Sequence, residues 1–168
     1  MKQKAYEKLL NNLEEMTKQY RLLLDCVRKE KEYLLQTKIT ELDANNILKE
    51  QILTKIKSID HVRVNFASDL AQILGVDHVE PRLLQIAQQM GGAPGDKLRN
   101  IHSTLELITK RLIELNNDNA TYAESALTTV NSAMDNVKDS LMGQKTYQKK
   151  GAYQQGYDKS GHLVSKEA

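Results

Sequence analysis

The histidines and the single cysteine of this 168-residue chain are not grouped for catalysis or for metal binding. The four histidines, His61, His78, His102 and His162, are scattered. No two of them have the i, i+4 spacing by which one helix face holds zinc, and none lies near Cys26 at ligand spacing. All four read as surface or rim histidines. Cys26 is the only cysteine, so no disulfide can form within the chain, which fits a reducing compartment. It adjoins Val27 at the edge of an apolar seam. With no neighbour to lower its pKa, it reads as a small packing residue and not a nucleophile.

The stretch GGAPGDK, residues 91–97, superficially resembles a phosphate loop. A phosphate loop needs four residues between its glycines, then Lys and Ser or Thr, after a strand. Here the spacing is three, Asp96 precedes Lys97, Leu98 follows, and no strand is expected. The stretch is a connector between helices. The sequence therefore predicts no enzyme, no cofactor and no metal site.

The elements around these residues are helices. The chain is 40% hydrophobic and 27% charged, but only 5% aromatic, with one Phe and no Trp. Leu, Ile, Lys, Glu and Gln dominate, a composition that favours helices packed on helices. Tyr6, Leu9, Leu13, Met16, Tyr20, Leu23, Val27 and Leu34 recur in steps of three and four, with Glu30 at the one polar position. This is a heptad seam, and it predicts a first helix over about residues 3–36. The TELD stretch from Thr40 has the spacing of a capping box, and Thr37 is an alternative start. A turn is expected here, because one continuous helix would leave the first seam without a partner in the chain.

The second helix is expected over about residues 40–74. Its stripe is Leu48, Ile52, Ile56, Ile59, Phe66, Leu70 and Ile73, with Val62 beside it and Arg63 on the seam. Gly75 stops it. Helices one and two match in length and predict an antiparallel hairpin. Pro81 opens a short helix, residues 81–90, with Leu83, Ile86, Ala87 and Met90 on one face. GGAPG then breaks the chain before a last helix over about residues 96–142. The expected architecture is all-α: an elongated, coiled-coil-like hairpin, residues 1–142 with the last helix, and a flexible basic tail, residues 143–168.

Net charge is +2, too weak to argue for nucleic acid. The tail holds five Lys against one Asp and one Glu, which leaves the body near neutral. Those lysines are sparse and more readily keep a tail soluble than hold a membrane or DNA. The opening MKQKAYEKLLNNLEEM lacks an unbroken apolar run, so no signal peptide is expected. No stretch approaches the ~20 apolar residues of a membrane span. A soluble, cytoplasmic protein without membrane insertion is expected.

The last helix poses the sharpest question. Ile101, Leu105, Ile108, Leu112 and Leu115 form a regular seam. Extended onward, it meets Asn119, Tyr122, Ala126, Thr129, Ala133 and Asn136, in and beyond the asparagine-rich stretch LNNDNATYAESA. A second apolar stripe appears one position along: Leu127, Val130, Met134, Val137 and Leu141. A seam asparagine costs stability unless its amide finds a partner. Asn119 either sets register inside the bundle, with Tyr122 filling a gap, or marks the end of the intramolecular seam near Leu115. Length favours the second reading. The last helix would be roughly 70 Å long and the hairpin only about 50 Å, at 1.5 Å per residue. The stripe beyond would then be a helix-in-groove binding face. Self-association into a homodimer is the competing use of the same stripe.

Taken in order, these segments resemble the FlgN family, the flagellar export chaperones for hook–filament junction proteins. The likeness rests on LLLDCVRKEKEYLL (residues 22–35), with its Leu seam and embedded Glu, and on ELDANNILKEQILTKIKSIDHVR (41–63). It continues in the asparagine-rich LIELNNDNATYAESAL (112–127) and in TYQKKG (146–151), a Tyr followed by Gly. The resemblance implies binding of the C-terminal segments of FlgK- and FlgL-type junction proteins. It also implies delivery of them to the flagellar type III export apparatus. It places cargo binding in the late part of the last helix, at Asn119, Tyr122, Leu127, Val130, Met134, Val137 and Leu141. Tyr147 matches the family's export-gate tyrosine, although Tyr153 and Tyr157 also lie in this tail. A coiled-coil adaptor or signalling hairpin without an export role would share the same fold.

Overall fold

The structure, a computed structural model, describes the backbone of residues 1–142 and the side chains of residues 1–139. It holds four helices, and no strand occurs among the described residues. They are α1 (Lys2–Leu35), α2 (Ile39–Leu74), α3 (Leu83–Met90) and α4 (Gly92–Met142). The fold is all-α, as the heptad patterns require. The chain divides into two units at the Tyr122–Ala123 boundary.

Within the first unit, α1 and α2 form the expected antiparallel hairpin. Asn12 donates to the Ile59 carbonyl, Lys55 pairs with Glu15, Asn45 donates to the Cys26 carbonyl, and Lys49 pairs with Glu30. Numbers rise along α1 as they fall along α2, which fixes the direction. The α1 seam is buried at Tyr6, Leu9, Leu13, Met16, Leu23 and Val27. It is half-buried at Tyr20 and Leu34. The first part of α4 runs parallel to α1. Lys97 pairs with Glu14 at 2.8 Å and Asn119 donates to the Val27 carbonyl at 3.0 Å.

The α1–α2 turn is tighter than a capping box allows. Lys38 N–H donates to the Tyr33 carbonyl and Thr37 N–H to Leu34. These are the two bonds of a Schellman motif. Thr37 takes the left-handed position, φ 55, that glycine normally fills. The Lys38 carbonyl already accepts from Leu42 N–H, so α2 starts at once. Thr40 lies inside the helix and caps nothing; Lys38 is the N-cap and makes no side-chain bond. The other end of α2 repeats the motif. Gly75, φ 72, donates to Gln72 while Val76 donates to Ala71.

The α2 stripe differs from its expected form. Ile52, Ile56 and Leu70 are buried, but Leu48 and Ile73 are exposed, and Asn45, Ala67 and Ala71 are inside instead. The reason is that α2 meets α3 as well as α1. Alanines at 67 and 71 let α3 approach, and its Ile86 and Ala87 are fully buried against them. α4 also starts earlier than the glycines suggest. Only Gly91, φ 65, separates α3 from α4, and Gly92 through Gly95 form the first turn of α4. Pro94 is tolerated there because first-turn N–H groups have no intrahelical acceptor.

Two apolar cores result. One joins Tyr6, Leu9, Leu10 and Leu13 to Ala67, Leu70, Ala71, Ile86, Ala87 and Leu98. The other joins Leu23, Cys26 and Val27 to Ile52, Ile56, Leu112 and Leu115.

Candidate partner-binding face

The second core closes on a polar layer shared by three helices. Glu30 of α1 accepts from Lys49 Nζ of α2 at 2.8 Å and from Asn119 Nδ2 of α4 at 3.2 Å. Lys49 also donates to Asn116 Oδ1 at 3.1 Å. Asn45 Nδ2 reaches the Cys26 carbonyl and Asn119 Nδ2 the Val27 carbonyl, each at 3.0 Å. Asn119 is only 4% exposed. It therefore belongs to the bundle and not to an outer face, which corrects its inclusion among partner-binding residues. Its amide is aimed at a helix carbonyl and a carboxylate that α1 supplies. The intramolecular seam runs one helical turn further than Leu115. The heptad pattern singles out Glu30 and Asn119 but not Asn45, Lys49 and Asn116, which join them here. The signal was present: Asn45 and Lys49 are four apart and share a helix face.

Beyond this layer the side chains of α4 are open. Tyr122, the last residue of the first unit, is 43% exposed and fills no gap in the core. Every described residue from 123 to 139 is exposed. Leu127, Val130, Met134 and Val137 stand at 61%, 54%, 64% and 57% exposure. Their steps of three and four make one aliphatic row along the helix. The hydroxyls of Thr128 and Thr129 donate back to the Glu124 and Ser125 carbonyls. The side chain of Leu141, and the whole of Tyr147, lie outside the described residues.

The residues screened for chemistry stay apart. Cys26 is buried in the second core, and burial pushes its thiol pKa up. His102 faces Glu106 at 3.9 Å on the same helix. Among the described residues, no group of three or more His, Cys, Asp or Glu could hold a metal ion. No described helix is long and apolar enough to cross a membrane.

Fold and face together define an all-α helical bundle with an uncovered aliphatic row on its last helix. The family model described as FlgN protein matches residues 1–155, nearly the whole chain. The chain belongs to the FlgN family, a family of flagellar export chaperones. Comparison with curated proteins and with solved structures returned no significant match.

Proposed function

We propose that this protein is a cytoplasmic chaperone for the C-terminal segments of FlgK- and FlgL-type junction proteins. It holds those segments from premature assembly and delivers them to the flagellar type III export apparatus. The observation that carries this reading is the uncovered row Leu127, Val130, Met134 and Val137, all more than half exposed. An aliphatic side chain fully buried contributes about 1.5–3 kcal/mol. Covering this row therefore offers several kcal/mol to a helical segment with a matching stripe, and no nucleotide is needed. Leu141 extends the row by its spacing, and Tyr122 borders it. Residues 143–168 form the delivery tail, with Tyr147 docking at the export gate by its match to the family.

The double variant V130D/V137D tests the face. Calorimetric titration with junction-protein C-terminal peptides should show binding to the wild type and none to the variant. Circular dichroism should be the same for both, since neither side chain is buried. A loss of helicity would return the stripe to the core and end this reading. Failure of wild type to bind any junction-protein peptide would favour the adaptor reading. A wild-type dimer that the variant abolishes would favour self-association.

A further inference from the structure

A second surface lies within the first unit and is separate from the row on late α4. It is bounded by the start of α3, residues 82–85, and by parts of α1, α2 and α4. The space left is an open groove of about 1070 Å³. Leu13 and Met16 of α1, both buried, lie at its base. Leu83 and Leu84 of α3 and Leu105 and Ile113 of α4 extend the apolar lining. Leu84 and Ile113 are exposed within this lining. The α4 wall runs from His102 to Glu114, about 18 Å at 1.5 Å per residue. That is longer than a small-molecule site requires, and it accommodates two to three turns of a helix.

The charges on the rim indicate the occupant. Arg63 is paired with Asp60 at 2.7 Å and Glu114 with Arg111 at 3.1 Å, whereas Glu106 lies 3.9 Å from His102, an ion pair only when that histidine is protonated. Arg82 and Lys110 line the groove as well, and neither makes a salt bridge among the described residues. Glu80, the acidic group nearest to Arg82 in sequence, is not among the residues that line the groove, and the Asp77 carboxylate accepts from the backbone N–H groups of Val79 and Glu80. Arg82 and Lys110 set against Glu106 leave the groove with a net cationic charge. The chain's own tail, with five Lys against two acids, carries the same sign and is disfavoured there. We infer that this groove docks an acidic amphipathic helix of a partner protein, apolar side down on Met16, Leu84, Leu105 and Ile113, with carboxylates at Arg82 and Lys110.

The probe is a labelled helical peptide of about two heptads with Leu on one face and Glu flanking it, beside a twin with Lys flanks. Fluorescence anisotropy with the full chain should show the Glu peptide binding at least about tenfold more tightly than the Lys peptide. The exposed-charge variant R82E/K110E should reverse that order, with unchanged circular dichroism. Amide chemical shifts should move at Leu84, Leu105 and Ile113. V130D/V137D should leave all of this intact, which separates failure here from failure of the cargo reading. Equal binding of the two peptides would overturn the inference. So would loss of binding in V130D/V137D but not in R82E/K110E, or a wild-type dimer that Ile113→Glu dissociates.

Discussion

Asn119 shows how one side chain can be tied into the bundle without being optimal. Its Nδ2 donates twice, to Val27 and Glu30, while its Oδ1 is buried with no hydrogen-bond partner. Asn119→Leu takes a donor from the Val27 carbonyl and from Glu30, which keeps Lys49, so it should destabilise by about 1 kcal/mol. Asn119→Asp removes the donors and sets a carboxylate against Glu30, so it should destabilise by about 3 kcal/mol. Urea unfolding at neutral pH measures both; a Leu variant as damaged as the Asp variant would refute this account. Cys26 makes a companion test. Its burial and raised pKa mean that a thiol reagent at pH 7.4 should label native protein far more slowly than urea-unfolded protein. The sign is that of an acid held neutral. Any contribution is present below the unfolded thiol pKa and lost as pH rises through the folded one, so neutral-pH stability is untouched.

The helices end by two different glycine requirements and one exception. Gly75 has a positive φ with open space around it, so Gly75→Ala should cost about 1 kcal/mol from backbone strain alone. Gly95 is an ordinary helical residue, but a Cβ there would run into the Ala87 carbonyl oxygen. Gly95→Ala should push α3 off α4 and cost about 2–3 kcal/mol. Thr37 is the exception, a β-branched residue in the left-handed position. Thr37→Asn should raise the melting temperature, with a gain of about 1 kcal/mol. Thermal denaturation of the three variants gives the ranking, and a stabilised Gly95→Ala would contradict the close approach. The sequence shows that a turn follows α1 and offers Thr37 or Thr40 as the start of the next helix, each as a cap. A Schellman motif depends on φ and on two backbone bonds, and a threonine gives no hint of it. Similarly, glycines at 91–95 read as a broken chain because their use in close packing depends on α3 lying opposite.

On the scale of the molecule, the prediction is a division of labour along α4. Substitutions in the two apolar cores should unfold the first unit, whereas substitutions at Leu127, Val130, Met134 or Val137 should leave its melting unchanged. Leu98→Ala, at a fully buried position, should cost about 2–5 kcal/mol. A chain ending at Tyr122 should keep the near-native melting of the first unit yet lose junction-protein peptides. The same truncated chain should still bind the acidic probe peptide. Loss of folding in that chain, seen by circular dichroism, would show that the late part of α4 supports the bundle.

The sequence by itself determined the helical class, the number of helices, the α1 seam and the aliphatic row on late α4. Each rests on periodicity within one helix, which is a local property and readable without neighbours. Only the tertiary structure decided that Asn119 faces Val27 and Glu30, and that Ala67 and Ala71 are inside while Leu48 and Ile73 are outside. It alone also revealed the groove beside Leu84 and Ile113. Those outcomes depend on which helix lies opposite and how closely it approaches. That is set by side-chain volumes and hydrogen bonds across the chain, from Glu30 to Lys49 and Asn119, and not by any spacing along it.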